Sequence, residues 1–141
     1  MAYKKILIQF IIMACIPNLA LAQIIISCQP AILTTSVVSP IGVSSSSTSA
    51  SAVPPTYIFF NENEVLDVQD NVCGSIQAQS VSWREIEIYC TASYNCAIQI
   101  RYLVDRGSGN YSATSVESVG NNLTTTSIFQ GSCSLYEGRR F

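Results

Sequence analysis

The sequence predicts a mainly β protein, a small antiparallel β-sandwich or barrel-like domain that is stabilised by disulfides. Short runs of alternating apolar and polar residues, separated by turn residues, are typical of half-buried strands. Five cysteines follow an N-terminal segment with the features of an export signal, and exported cysteines are normally oxidised. We find no internal repeat and no long amphipathic helical pattern, so several short strands account for the chain best.

The first 22 residues have the three parts of a secretory signal peptide. Lys4 and Lys5 give a positive start, residues 6–16 form an apolar core, and Ala20-Leu21-Ala22 matches a small-residue cleavage site. Cleavage after residue 22 of 141 leaves 119 residues, which suffice for one small domain and contain no membrane-spanning stretch. The prediction is a secreted, periplasmic or cell-surface protein.

Residues 23–56 are rich in serine and threonine and contain no charged residue. Such a composition buries little apolar surface to offset the entropy lost on ordering, and it predicts a flexible arm. An O-glycosylated stalk is a second interpretation. A short strand at 24–28 is a third, and it would make the polar stretch a long surface loop. The folded domain itself is predicted to occupy residues 57–141.

Residues 57–60 are aromatic and β-branched, which predicts a strand, and residues 75–82 predict a further, mostly polar strand. An acidic stretch without basic residues lies between them. Its carboxylates are a candidate Ca²⁺ set, because calcium takes oxygen ligands. Their spacing differs from that of an EF-hand loop, so we favour a solvated acidic loop. The four residues are Glu62, Glu64, Asp67 and Asp70.

Residues 84–104 predict a β-hairpin, because both halves alternate between apolar and polar side chains. If Cys90 lies opposite Cys96 across a five-residue loop, two isoleucine pairs align on one face, namely Ile88 with Ile98 and Ile86 with Ile100. A slip of one residue would place these isoleucines opposite polar groups. The pattern therefore predicts both the hairpin and its inward face.

The five cysteines allow two bridges and one unpaired thiol. Directly opposed strand residues lie within disulfide range, which favours a local bond between Cys90 and Cys96. Loop entropy favours long-range partners, since a bond between Cys28 and Cys133 would contribute about 4.7 kcal/mol against about 2.4 for the local pair. We predict bridges among Cys73, Cys90, Cys96 and Cys133. Cys28 is then the odd cysteine, free or bonded to another chain, because the flexible arm separates it from the others.

The residues after the hairpin predict two more strands, at 111–119 and 123–129. Turn residues precede each of them, at 105–110 and 120–122. Asn110 and Asn122 each begin an Asn-x-Ser/Thr pattern and are candidate N-glycosylation sites, which matter only in a eukaryotic exported protein.

The composition excludes most catalytic chemistries, and we expect no cofactor. No histidine is present, which removes the usual general base, the Ser-His-Asp and Cys-His arrangements and the common zinc ligand. Residues 23–141 contain five arginines, nine carboxylates and no lysine, so their net charge of −4 gives no basic surface for nucleic acid. One exception is a carboxylate hydrolase that uses Glu85 and Glu87, about 7 Å apart on one face of a strand.

Two functions remain after these exclusions. The first is an exported binding or host-interaction module without catalytic activity, whose partner is an unidentified protein or glycan. The alternative is a structural subunit of a surface coat or fimbria-like assembly. Such a subunit would associate with itself by strand addition at an exposed sheet edge or through an intermolecular disulfide.

Overall fold

The computed structural model of the protein describes residues 23–120 and 122–136. The predicted signal peptide lies outside the described residues. These described residues contain nine strands, all joined by antiparallel pairing. In chain order they are β1 (Ile24–Ser39), β2 (Gly42–Ser49), β3 (Thr56–Phe60), β4 (Val65–Gln69), β5 (Cys73–Val81), β6 (Glu85–Ala92), β7 (Gln99–Asp105), β8 (Asn110–Val119) and β9 (Leu123–Leu135).

The strands form one sheet that curls into a nearly closed, barrel-like domain. Its order is β4-β3-β1-β9-β8-β7-β6-β5, and β2 pairs with β1 outside this path. The two end strands are joined by a side chain. The amide of Gln79 in β5 donates to the carbonyl of Val65 in β4 over 2.9 Å and accepts a hydrogen bond from the Val65 N–H. This amide therefore replaces the backbone ladder at the seam between β4 and β5.

The core lies inside the curled sheet, as the alternating pattern predicts. Side chains from β1, β3, β4, β6, β7 and β8 form one buried cluster, in which Tyr102, Ile58, Ile86 and Ile88 are among the largest fully buried residues. Removing this apolar surface from water stabilises the fold by about 25 cal/mol per Å². The predicted fold class, a disulfide-stabilised antiparallel β domain, is confirmed in its barrel-like form.

Residues 23–56 differ most from the prediction, because they contain two paired strands in place of a flexible arm. The first half of β1 pairs with β3 and β9, while its second half pairs with β2 and β9. Strands β2, β1, β9 and β8 thus continue beyond the barrel as a four-stranded extension. Hydroxyl pairs support it, including Thr34 with Ser47 at 3.0 Å. Composition alone suggested disorder, whereas the ladder to β9 supplies the partners that order this segment.

A bulge in β1 separates the barrel from the extension. The register with β9 shifts between Pro30 and Ile32, so that Ala31 is an extra residue. The Ala31 carbonyl accepts a hydrogen bond from the Ala50 N–H over 2.9 Å. Gly131 lies opposite Pro30, where a side chain would run into the backbone carbonyl of Gln29. The absence of a side chain at Gly131 therefore permits the close approach of the two strands.

The hairpin of β6 and β7 has the predicted inward face but a different register. Cys90 lies opposite Ile100, and Ile88 lies opposite Tyr102. Each residue of β6 thus pairs four positions further along β7 than predicted. Because four is even, the same side chains still point inward. The connection spans residues 93–98, so Cys96 lies in it rather than opposite Cys90.

The disulfides correct the predicted cysteine assignment. Cys28 bonds Cys133, its direct partner in the ladder of β1 and β9, with 3.9 Å between their Cα atoms. Cys73 bonds Cys90 between β5 and β6, with a Cα separation of 5.4 Å. Among the five cysteines that the structure describes, Cys96 is the unpaired one, and it is exposed. The prediction of an unpaired Cys28 is wrong, because its segment is no separate arm but belongs to β1, which lies between β3 and β9 in the sheet.

The other predicted strands are present, with small changes in their bounds. β3, β5 and β8 match the predictions within one or two residues, and β9 is longer because it continues through Gly131 to Leu135. The predicted acidic loop contains the short strand β4, in which Val65 and Val68 are buried. None of the described residues lies in a helix long and apolar enough to cross a membrane.

Candidate functional site

A cavity of about 520 Å³ opens into the interior of the barrel-like domain. Its volume is within the range of small-molecule sites in proteins. Side chains from β1, β3, β4, β7, β8 and β9 line it, together with the segment between β2 and β3 and the turn between β4 and β5. The lining residues are Pro30, Val53, Pro54, Pro55, Thr56, Tyr57, Val68, Gln69, Asp70, Asn71, Val72, Ile100, Tyr102, Tyr111, Ala113, Ser115 and Phe129.

The cavity extends from exposed residues to the core. Val53 and Pro54 are exposed on one side of the rim, and Gln69 and Asn71 are exposed on the other. The floor consists of buried side chains, among them Val68, Ile100 and Ala113. A ligand can therefore enter from solvent and reach apolar surface within the barrel.

The proline segment of the rim is fixed to β1. The side-chain amide of Gln29 donates to the carbonyl of Val53 over 2.9 Å, and the Val53 N–H donates to the carbonyl of Ala50 over 3.0 Å. Pro54 and Pro55 follow directly, with their φ angles restricted by their rings. This side of the cavity is consequently held in place without a ligand.

A connected group of polar side chains forms part of the cavity wall. The carboxylate of Asp70 accepts hydrogen bonds from the Tyr102 hydroxyl over 2.7 Å and from the Thr56 hydroxyl over 3.1 Å. The Thr56 hydroxyl in turn lies 3.3 Å from that of Tyr111. The rings of Tyr102 and Tyr111 are stacked, with centroids 6.4 Å apart. We call these four residues the Asp70 network.

The turn after β4 holds the Asp70 carboxylate in place. Its second oxygen accepts hydrogen bonds from the backbone N–H groups of Val72, over 2.9 Å, and Cys73, over 2.7 Å. Cys73 also belongs to the disulfide with Cys90. The carboxylate therefore has four donors around it and is anchored beside a covalent cross-link.

The environment keeps both phenols of the network protonated. Burial, followed by the negative charge of Asp70 and its hydrogen bond, raises the pKa of Tyr102 far above its ordinary value. Burial is also the main cause that raises the pKa of Tyr111 to about 12. Neither phenol can serve as a base near neutral pH.

Only one of the predicted site residues belongs to this cavity. Among the candidate calcium ligands, Asp70 lines the cavity, whereas Glu62, Glu64 and Asp67 are exposed and absent from its wall. No group of three or more acidic, cysteine or histidine residues in the described part of the chain is placed to hold a metal. The acidic stretch therefore contributes a hydrogen-bond acceptor to the cavity, and its four carboxylates do not converge.

The carboxylates considered for hydrolysis lie on the outer face of β6, away from the cavity. Glu87 accepts hydrogen bonds from Arg101 and from the Tyr89 hydroxyl, each over 2.7 Å. These two hydrogen bonds, the one from Tyr89 first, lower the pKa of Glu87. Glu85 lies opposite Asp105 in the ladder and is exposed. The arginine thus pairs with Glu87, and not with Glu85 as the predicted register implied.

The remaining predicted residues lie on the surface. Cys96 is exposed in the connection between β6 and β7. Asn110 is exposed at the start of β8, and Asn122 is exposed in the turn before β9 with a positive φ of 65°. The described structure gives each of these three side chains access to solvent.

The sequence patterns did not identify the cavity. Tyr102 and Tyr111 resemble ordinary core residues, and Pro54 and Pro55 resembled part of a linker. The one available signal was Asp70 in the sequence Asp-Asn-Val-Cys, because aspartate often accepts hydrogen bonds from the backbone two or three residues later. Comparisons of this chain with protein-family models, with curated proteins and with solved structures find no match.

Proposed function

We propose that this protein is an exported binding module without catalytic activity, and that the cavity beside the Asp70 network is its binding site. The observation that carries the proposal is a roomy, largely apolar cavity with an exposed rim and a few convergent polar groups, which is the usual form of a ligand site. Two disulfides within the chain fit an oxidising extracellular compartment, and this supports the proposed export.

Binding agrees better than catalysis with the chemistry of the cavity wall. The Asp70 carboxylate already accepts four hydrogen bonds, so it is poorly placed to remove a proton from a substrate. The phenols of Tyr102 and Tyr111 remain protonated. The wall offers apolar contact and fixed polar groups, which determine the orientation of a bound molecule.

The proposal is tested by titrating the protein with a neutral fluorescent probe of apolar surfaces, such as Nile red. We expect saturable binding that Ala113→Leu weakens, because Ala113 is buried on the cavity floor. Ala78→Leu is the matched control, since Ala78 is exposed on β5 and does not line the cavity. Equal binding by the wild type and by both variants would place the probe elsewhere and would contradict the proposed site.

A second candidate function, a self-associating structural subunit, is supported by the edge of the extension. Among the strands that the structure describes, β2 pairs only with β1, and all eight of its residues are exposed. It has neither charge nor proline, the features that commonly prevent edge-to-edge association. Ile41 and Val43 at the hairpin tip are 99% and 73% exposed. A second copy could add its own β2 here through backbone hydrogen bonds.

Sedimentation velocity over a range of protein concentrations tests this candidate. We expect Ser46→Lys to shift an oligomer towards monomer, because a like charge on each copy would oppose pairing at the β2 edge. Ser80→Lys is the control, since Ser80 is exposed on β5 and adds the same charge elsewhere. A monomeric wild type at all concentrations would eliminate strand addition as the function.

A further inference from the structure

Every hydroxyl proton of the Asp70 network points along the hydrogen bonds towards the Asp70 carboxylate. Tyr102 and Thr56 donate to Asp70, and a threonine hydroxyl has only one proton. In the contact between Thr56 and Tyr111, the tyrosine must therefore be the donor. Asp70, which accepts four hydrogen bonds, has no proton to offer. The network keeps lone pairs for a ligand but no free donor.

The part of the cavity wall that contains prolines also offers hydrogen-bond acceptors without donors. Pro30, Pro54 and Pro55 lack a backbone N–H, so this part of the wall can only accept hydrogen bonds. At the rim, the side-chain amide of Gln69 donates to Asp67 over 3.1 Å. The Asn71 amide is exposed at the rim, where water competes for its N–H groups. The hydroxyls of Tyr57 and Ser115 also line the cavity, and because a hydroxyl can either donate or accept, they favour neither class of ligand. The preference for a ligand that donates therefore comes from the Asp70 network and the proline segment.

The charge of Asp70 reinforces this preference. Asp70 forms no ion pair with any residue that the structure describes, where the one salt bridge joins Arg101 and Glu87. Hydrogen bonds hold its negative charge in place without neutralising it. A cationic group that enters the cavity would meet this charge in surroundings less polar than water, where opposite charges attract more strongly. A second negative charge would be repelled.

We propose that the cavity selects an apolar ligand that carries a hydrogen-bond donor, best an alkylammonium group, and that it discriminates against carboxylates. This inference rests on the proposed binding function of the cavity. It names the chemical class of the ligand: an amine on a hydrocarbon body, with the nitrogen donating to the phenol oxygens and the hydrocarbon against Val68, Ile100 and Phe129. A fatty acid has the matching apolar part but the opposite polar end.

The experiment compares three ligands of equal chain length, n-decylamine, n-decanol and n-decanoate, by calorimetric titration below their micelle-forming concentrations. We expect the amine to bind about 10- to 100-fold more tightly than the carboxylate, with the alcohol between them, as donation by a charged group implies. If decanoate binds as tightly as decylamine, the inference is overturned while the binding function stands. If none of the three binds, the proposed function itself fails.

Asp70→Asn provides a second test in the same assay. An asparagine amide can donate to Tyr102, whose proton would then be free to point into the cavity. We expect the preference for amine over carboxylate to fall at least fivefold. Asp67→Asn is the matched control, because it removes the same charge from the exposed side of β4 and should leave the preference unchanged. Equal effects of both variants would assign the preference to net charge and contradict the role of the Asp70 network in ligand selection. If Asp70→Asn does not fold, the comparison of the three ligands on the wild type decides.

Discussion

Replacing Cys28 and Cys133 together by alanine should destabilise the protein more than the same change at Cys73 and Cys90. The first bond closes a sequence separation of 105 residues and the second a separation of 17. By the loop-entropy relation these bonds contribute about 4.7 and about 3.1 kcal/mol to the free energy of unfolding. Cys28 and Cys90 are both fully buried, so the packing lost is similar in the two variants. The expected difference is about 1.6 kcal/mol.

Urea unfolding followed by far-ultraviolet circular dichroism of the β structure measures this difference at equilibrium. Each double variant is compared with the oxidised wild type, and Cys96→Ala controls for the unpaired cysteine. Disulfide mapping by mass spectrometry of the wild type must find Cys28 joined to Cys133. A bond between Cys90 and Cys96, or a larger loss from the Cys73 and Cys90 variant, would refute the assigned connectivity and the reasoning from loop length.

Three further predictions concern the seam, the cavity and the outer face. Gln79→Leu leaves two backbone groups of Val65 without their partner and should lower the free energy of unfolding by about 2 kcal/mol. In the same urea assay, Gln77→Leu on the exposed side of β5 should lower the free energy of unfolding by less than about 0.5 kcal/mol, since it is a change on the surface. Equal losses from the two variants would show that the Gln79 side chain does not stabilise the seam. Because the folded pKa of Tyr111 is raised to about 12, stability should be intact below the ordinary tyrosine pKa of about 10 and fall as pH rises towards 12. Unfolding at several alkaline pH values should show a shallower fall for Tyr111→Phe, and parallel curves would contradict the burial of its hydroxyl. The lowered pKa of Glu87 has the opposite sign, so its contribution should be present above the ordinary glutamate pKa and disappear as pH falls through the lowered value. Wild type and Glu87→Gln should therefore converge in stability as the pH falls below the lowered pKa of Glu87, and a gap that widens in acid would contradict the assignment.

The alternating pattern predicted which side chains of the hairpin point inward, but it could not determine their partners. A slip of four residues keeps every side chain on its face and exchanges one apolar pair for another, such as Ile88 with Ile98 for Ile88 with Tyr102. Contacts outside the hairpin determine which of these registers the two strands adopt. Cys90 bonds Cys73 in β5, and the Ser93 N–H donates to the Val72 carbonyl over 2.7 Å. Such tertiary contacts have no signature in the hairpin's own sequence.

Composition was a poor guide to residues 23–56 for a related reason. Serine and threonine hydroxyls can pair across strands, and β-branched threonine suits an extended backbone, so a polar stretch is ordered when a neighbouring strand is available. That neighbour, β9, follows about a hundred residues later in the chain. The candidate site was hidden similarly, because its proline rim and its buried tyrosines come together only when β3, β7 and β8 surround the same space.

The bulge at Ala31 changes which residues of β1 face inward, from even-numbered residues before it to odd-numbered residues after it. Before it, the even-numbered Cys28 and Pro30 are buried; after it, the odd-numbered Leu33 lies beside Phe129, on the face that continues the barrel interior. Deletion of this one alanine would leave every other pair of the ladder in place, because Ile32 would then follow Pro30 directly, opposite Gln130 and Gly131. Both faces of the extension would keep their orientation, and the change would be confined to the backbone at the bulge, where the Ala50 N–H would lose the Ala31 carbonyl.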